Sequence, residues 1–212
     1  MSRSGSVIVV ALIVSASALA AAPWVVGGDY SWVSNTLSEA AAQGVQGAWV
    51  AQAGFAIFGL TVGALAFLRR HDWGLLAGVS HTVFALMMLA AADFSVRPWE
   101  SGAPYDHAED ALHSVAATTM GFAFVVGVLL VYARRDRPNA TRRVDLLVAV
   151  LATVLPLLML LWPDVEGLIQ RVLFLVAYLW YGREATTRPG HRPADAGAIF
   201  PPTERARSES ST

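Results

Sequence analysis

The sequence predicts an all-α fold: a polytopic transmembrane bundle of six helices with both termini in the cytoplasm. Three observations carry that expectation. The chain is 55% hydrophobic and only 15% charged over 212 residues, too apolar for a typical soluble domain. Its apolar residues gather in runs that match the ~20 helical residues needed to cross a hydrocarbon core of about 30 Å. Its arginines collect on alternate connections between those runs.

The runs fall at 7–26, 49–68, 74–96, 111–133 and 145–162, with a weaker sixth at 165–181. They lack the strict alternation of barrel strands, and lipid tolerates only structures that satisfy their own backbone, so they read as helices. With the N-terminus inside, thirteen of the fifteen arginines lie on the cytoplasmic side, and Arg97 alone lies in an outer loop. Arg171 falls within a span. Trp24, Trp49, Trp99 and Trp162 sit at outer helix ends, and Trp32 in the first outer loop. Trp73 and Trp180 are expected to mark the inner boundary, where an indole buries its ring and keeps its N–H wet.

The first run could also serve as a signal peptide, with Ala18-Leu19-Ala20 as its small-residue site. Twenty apolar residues exceed the usual signal core, and Trp24 resembles an anchor, so a retained helix is expected. Residues 1–182 then form the transmembrane domain, and 183–212, rich in Pro, Arg, Ser and Thr, form a disordered polar cytoplasmic tail. With no cysteine, the chain has no disulfide, thiolate nucleophile or Cys-ligated metal. A net charge of −1 and no phosphate-binding glycine loop give no reason to expect nucleic acid, and no cofactor is expected.

The polar stretch after the first run, DYSWVSNTLSEAAAQG at residues 29–44, faces outward in this topology. Thr36-Leu37-Ser38-Glu39 has the T-x-x-E form of a capping box, so a short helix through Ala40 to Gln43, closed by Gly44, is expected on the outer face. The same residues could instead form a polar cap, with Asp29, Asn35 and Glu39 directed into a pocket.

Residues Tyr30-Ser31-Trp32-Val33-Ser34-Asn35-Thr36-Leu37-Ser38-Glu39 resemble the first-loop signature of the domain of unknown function 998 family. His113-Ser114, opening the fourth helix, and Gly167-Leu168-Ile169-Gln170-Arg171, opening the last, fit the same resemblance, which covers residues 5–182. It implies a prokaryotic integral-membrane protein of six helices in the cell (inner) membrane, and it implies no reaction.

Arg171 lies about 9 Å along the last helix from its outer end. An arginine inside a span costs about 2.5–3.5 kcal/mol at the centre and less near the edge, so it must snorkel outward or find partners. Asp93, about 5 Å down the third span, Glu39 in the first loop and Asp110 at the start of the fourth helix are the expected counter-charges. Asn35, Glu39, Asp93, Asp110, His113 and Arg171 are therefore the candidate binding residues of an outer polar cap. Asp106, Asp110 and His113 share a helical arc of roughly 60° and are weak metal candidates. The simpler reading makes Asp106 an N-cap with Glu109 beside the helix dipole.

His81 lies about 22 Å below the outer end of its helix, out of reach of any metal site at His113. Ser80-His81 is expected to face the bundle interior as an interhelical hydrogen-bonding pair, and Gly78-Val79-Ser80-His81-Thr82 lacks the last glycine of a nucleophile elbow. Gly59 and Gly63, with Gly54, Gly121 and Gly127, are expected to let helices approach, and Pro156 to bend the fifth. Met87 and Met88 read as lipid-facing or core filler. The functional expectation is a non-enzymatic membrane protein binding an anionic lipid headgroup, small amphiphile or partner at the cap around Arg171. A membrane-embedded hydrolase activating water or metal through Asp106, Asp110 and His113, and a proton-coupled carrier using Asp93 and Arg171, are the alternatives.

Overall fold

A computed structural model of the chain describes residues 2–134 and 137–187. Six α-helices account for most of them: α1 Arg3–Val26, α2 Trp49–Trp73, α3 Leu75–Asp93, α4 His107–Tyr132, α5 Asn139–Leu161 and α6 Glu166–Thr186. Each predicted run lies on one helix, but several helices extend past the apolar stretch. Polar turns such as Arg69–Asp72 and Asn139–Arg143 continue the helix, because backbone hydrogen bonding does not stop where apolarity does. Five helices are long and apolar enough to cross a membrane; α6, interrupted by Arg171 and closed by Arg183 and Glu184, is not among them. The tail beginning at 183 is corrected at its start, since Arg183 to Thr186 are helical. Its remainder, 188–212, lies outside the described residues.

Each helix packs on its neighbours in sequence, and α6 returns to α1. With six helices among the described residues, the start of α1 and the end of α6 lie at one end of the bundle, where a side chain at Gly5 would meet the Ala185 carbonyl oxygen at 2.6 Å. This is the termini end. The opposite, cap end carries residues 27–48, the α3–α4 connection and the α5–α6 turn. The first helix is built into the bundle: Ile8, Leu12, Leu19 and Ala22 are buried, and the Ser15 hydroxyl donates to the Gly54 carbonyl at 2.6 Å.

Aromatic rings fill the centre. Phe58 of α2 stacks on Tyr178 of α6 at 4.2 Å, and Phe84 and Phe124 both meet Tyr181. The void among these rings, bounded by Met88 and Pro156, measures about 50 Å³. Pro156 sits within a continuous α5. Gly59 lies so close to α3 that a Cβ would meet the Ala85 oxygen at 2.9 Å, and Gly54 is equally close to Leu19. Gly121 departs from the packing expectation, with nothing within 4 Å of the site of its missing side chain. Met88 is core filler.

Candidate functional site: polar clusters at the two ends of the bundle

At the cap end the segment 30–37 straps across the start of α6. The Leu168 N–H donates to the Val33 carbonyl at 2.9 Å, and the Leu37 N–H donates to Gln170 Oε1 at 2.6 Å. The first bond supplies an acceptor to one of the donors that a helix N-terminus leaves free. Gly167 is needed for this approach, because any Cβ there would run into the Asn35 carbonyl. Arg171 lies beneath the strap. Its Nη1 donates to the carbonyls of Asn35 at 2.8 Å and Gly167 at 2.9 Å, and its Nη2 donates to the Tyr30 hydroxyl at 2.8 Å. Tyr30 in turn donates to the Thr36 carbonyl at 2.7 Å. Burial pushes the Tyr30 hydroxyl above the usual phenol range, against the opposing pull of the Arg171 charge, so it stays a neutral donor.

This corrects the expectation that carboxylates surround Arg171. Among the described residues no carboxylate lies within ion-pair distance of its guanidinium. Carbonyl oxygens and a phenol supply enough acceptors to hold a diffuse, weakly hydrated cation half-buried without a counter-ion. Glu39 performs the reciprocal bonding of a capping box: its Oε2 accepts from the Thr36 N–H at 2.7 Å, and its N–H donates to the Thr36 hydroxyl at 3.2 Å. The element it caps is one 3₁₀ turn, Glu39–Ala41, rather than a helix to Gln43. Leu37, Ala40, Ala41 and Ala42 are buried, so the turn is pressed into the bundle instead of resting on its surface. Asn35 bonds Glu39 weakly, at 3.5 Å.

The remaining expected cap residues form a second group, on the α3–α4 side. Asp106 Oδ1 accepts from the Ala108 and Glu109 N–H groups as the N-cap of α4. Glu109 accepts from the Ser95 N–H at 2.6 Å and Asp110 from the Arg97 N–H at 2.9 Å, while His113 Nδ1 donates to the Phe94 carbonyl at 2.7 Å. One face of α4 thus holds the connection 94–97 in place. The weak metal assignment is corrected: among the described residues, Asp106, Asp110 and His113 form no ligand cluster, each being turned toward a different backbone group. Asp93 is exposed, and no hydrogen bond or ion pair joins it to Arg171 among the described residues. The residue that links the two groups is Gln43, expected from the sequence only as the end of a short helix. Its side chain donates to the carbonyls of Ser95 and Asp106 and accepts from the Asp106 N–H.

The termini end holds a cluster that the sequence reading missed. Asp145 of α5 is 0% exposed and Glu184 of α6 is 3% exposed. Arg137, on the α4–α5 connection, forks onto Glu184 at 2.7 and 3.2 Å and pairs with Asp145 at 3.2 Å. Arg183 bridges the same two carboxylates. The indoles complete them: Trp73 donates to Glu184 at 2.8 Å and Trp180 to Asp145 at 3.0 Å. Both tryptophans are buried, which corrects their assignment as wet interfacial anchors; Trp24, Trp32, Trp49 and Trp162 do expose their rings. Arg69, also buried, pairs with Asp72 and donates to the carbonyls of Glu184 and Thr187, so α2 is tied to the end of α6. Two carboxylates facing two guanidinium groups give a locally neutral arrangement that can stay buried.

His81 lies directly above this cluster, as its inward expectation required. Its ring rests between Trp73 and Trp180, with centroids 4.6 and 4.9 Å away, and its Nδ1 meets the Tyr181 hydroxyl at 2.9 Å. Ser80 donates to the Ala123 carbonyl at 2.9 Å. Gly127 makes the space, since a Cβ there would lie 2.7 Å from the imidazole. A signal for the missed cluster existed in the sequence: Asp145 stands at the first position of an apolar run, and Trp180 and Glu184 are four apart on one helix.

The chain gives no match among curated proteins and none among solved structures. A family model described as "Protein of unknown function (DUF998)" matches residues 7–183, a segment that holds the first-loop strap, Arg171 and Asp145 and ends one residue before Glu184. With five membrane-length apolar helices and that match over most of its length, the chain belongs to the DUF998 family, as a multi-pass helical membrane protein of unknown function.

Proposed function

We propose that this is a six-span protein of the prokaryotic cell membrane with both termini cytoplasmic, and that it binds a small amphiphile or lipid by a zwitterionic head at its outer cap, without catalysing a reaction. The arginine distribution supports the orientation, and the packing of α6 against α1 and α5 supports its crossing with the rest. The observation that carries the binding reading is a pair of adjoining cavities at the cap, of about 390 and 340 Å³, which share Pro98, Trp99, Glu100 and Ala103. The larger also meets Glu39, Arg97 and Tyr105. Arg97 has an exposed side chain, and the Trp99 indole N–H is buried with no hydrogen-bond partner. A guanidinium and a free N–H suit an anionic group, while carboxylates and aromatic faces suit an ammonium. The strap over Arg171 gives this surface a floor.

Native mass spectrometry of the detergent-extracted protein with added phosphatidylethanolamine tests the reading. Arg97→Ala and Trp99→Phe, which keeps the ring and removes the N–H, are expected to weaken the adduct several-fold each. Wild-type adduct levels in both variants would overturn it. Because the chain has no cysteine, Ser101→Cys reports orientation separately: a membrane-impermeant thiol reagent should label it in intact cells.

A further inference from the structure

A further cavity is at the other end of the molecule and on its outside. It is a groove of about 650 Å³ between α2 and α3, floored by Gly63, Ala66 and Gly78 and walled by Phe67, Val79 and Thr82. Gly74, between the two helices, lies at its termini end with Arg70 and His71. Phe67 and Val79 are exposed, so the groove opens toward whatever surrounds the bundle. In a membrane-spanning protein that surrounding is lipid.

Two observations indicate what fills it. The first is space left open at a cost. Glycine inside a helix destabilises it by about 0.5–1 kcal/mol relative to alanine, and is normally retained where a neighbour comes too close for a side chain. Gly59 has such a neighbour; Gly63 and Gly78 do not, since a Cβ on Gly63 would sit 3.6 Å from Ala85 Cβ and one on Gly78 4.0 Å from Arg70 Cα. Helix packing therefore does not account for these two. The second is charge. Arg70 stacks on Phe67 at 4.2 Å and bonds the Phe67 carbonyl at 2.7 Å, and it meets no carboxylate among the described residues, Asp72 being paired with Arg69. Gly74, held at φ +79°, leaves room for the Arg134 guanidinium, whose Nη1 lies 2.8 Å from where a Cβ would stand. Arg70 and His71 thus stand at the polar end of an apolar furrow.

We propose that this groove is a specific site for one anionic membrane phospholipid, with its phosphate held at Arg70 and His71 and an acyl chain laid along Gly78, Val79 and Gly63. The cationic mouth selects the anionic head, and the missing side chains make room for the chain. The site is independent of the outer cap: it is at the opposite end, shares no residue with it, and selects a different head.

Native mass spectrometry of the full chain, titrated separately with phosphatidylglycerol, phosphatidylethanolamine and glycerol-1-phosphate, tests it. The wild type is expected to retain one phosphatidylglycerol at least tenfold more tightly than either other probe after allowance for the cap adduct, which Arg97→Ala weakens. Arg70→Gln should abolish that preference. Gly78→Leu, which fills the groove and keeps every charge, should lower phosphatidylglycerol retention at least tenfold; if it fails to fold, Val79→Trp at the exposed rim replaces it. Wild-type retention in the Arg70 and groove variants would identify ordinary surrounding lipid and overturn the site. Equal binding of glycerol-1-phosphate would show that the furrow contributes nothing, and would overturn it as well.

Discussion

Arg171 at the cap end and Arg137 with Arg183 at the termini end are all cations drawn into an apolar bundle, yet the chain satisfies them by opposite means. At the termini end each guanidinium meets a buried carboxylate, and each carboxylate also accepts an indole N–H. The charges cancel locally. At the cap end Arg171 receives two carbonyl oxygens and a phenol, and its charge is solvated but not neutralised. The difference shows that burying a guanidinium requires acceptors in the plane of its N–H groups, and that a counter-ion is only one way to supply them. It also sets what each end can do. A closed, neutral cluster tying α2, the α4–α5 connection, α5 and α6 acts as a lock. The other end holds Arg171 on neutral acceptors and has open cavities at Arg97 and Trp99.

The comparison breaks most visibly at Glu184. Glu184→Ala leaves Arg137 buried without its forked partner and the Trp73 N–H without an acceptor, and should cost about 3–5 kcal/mol in denaturant unfolding of the detergent-solubilised protein. Arg171→Ala removes bonds but strands no opposite charge, so a smaller loss of about 1–3 kcal/mol is expected in the same measurement. An Arg171 loss equal to or above that of Glu184 would mean that the cap charge is compensated ionically after all. The smallest effect is expected for Tyr30→Phe, about 1 kcal/mol. The folded state raises the affinity of Tyr30 for its proton. The advantage of the wild type over this variant should therefore be complete below the ordinary phenol pKa of about 10 and be lost as pH rises through the raised value. Parallel thermal unfolding of both proteins from pH 7 to pH 11 measures it; a difference that grows with pH would reverse the assignment of the hydroxyl as a neutral donor.

Some of this was legible from residues alone. Thr36 and Glu39 could be read as a capping box because both halves of the device lie within one turn of each other. Asp106 could be read as an N-cap for the same reason. The partners of Gln43 and Gln170 could not be read: an amide names no partner, and theirs lie across the fold, with Gln170 and Leu37 separated by 133 positions. Trp73 and Trp180 were misread because an indole near a span boundary fits the interface equally well until a carboxylate is found at its N–H. Glu184 was assigned to the polar tail because it follows an apolar run, although helix α6 continues past it to Thr186.

By itself the sequence determined six helices among the described residues, where each lies within a few residues, and the Asp106 cap that begins α4. Apolarity, helical period and capping act between residues a few positions apart. Only the tertiary structure decided which charges meet. Trp73 finds Glu184 across 111 positions, and Arg171 finds the Asn35 carbonyl across 136. Such meetings depend on how each helix is rotated about its axis and how far it slides along its neighbours, and the interlocking of side chains from several helices sets both.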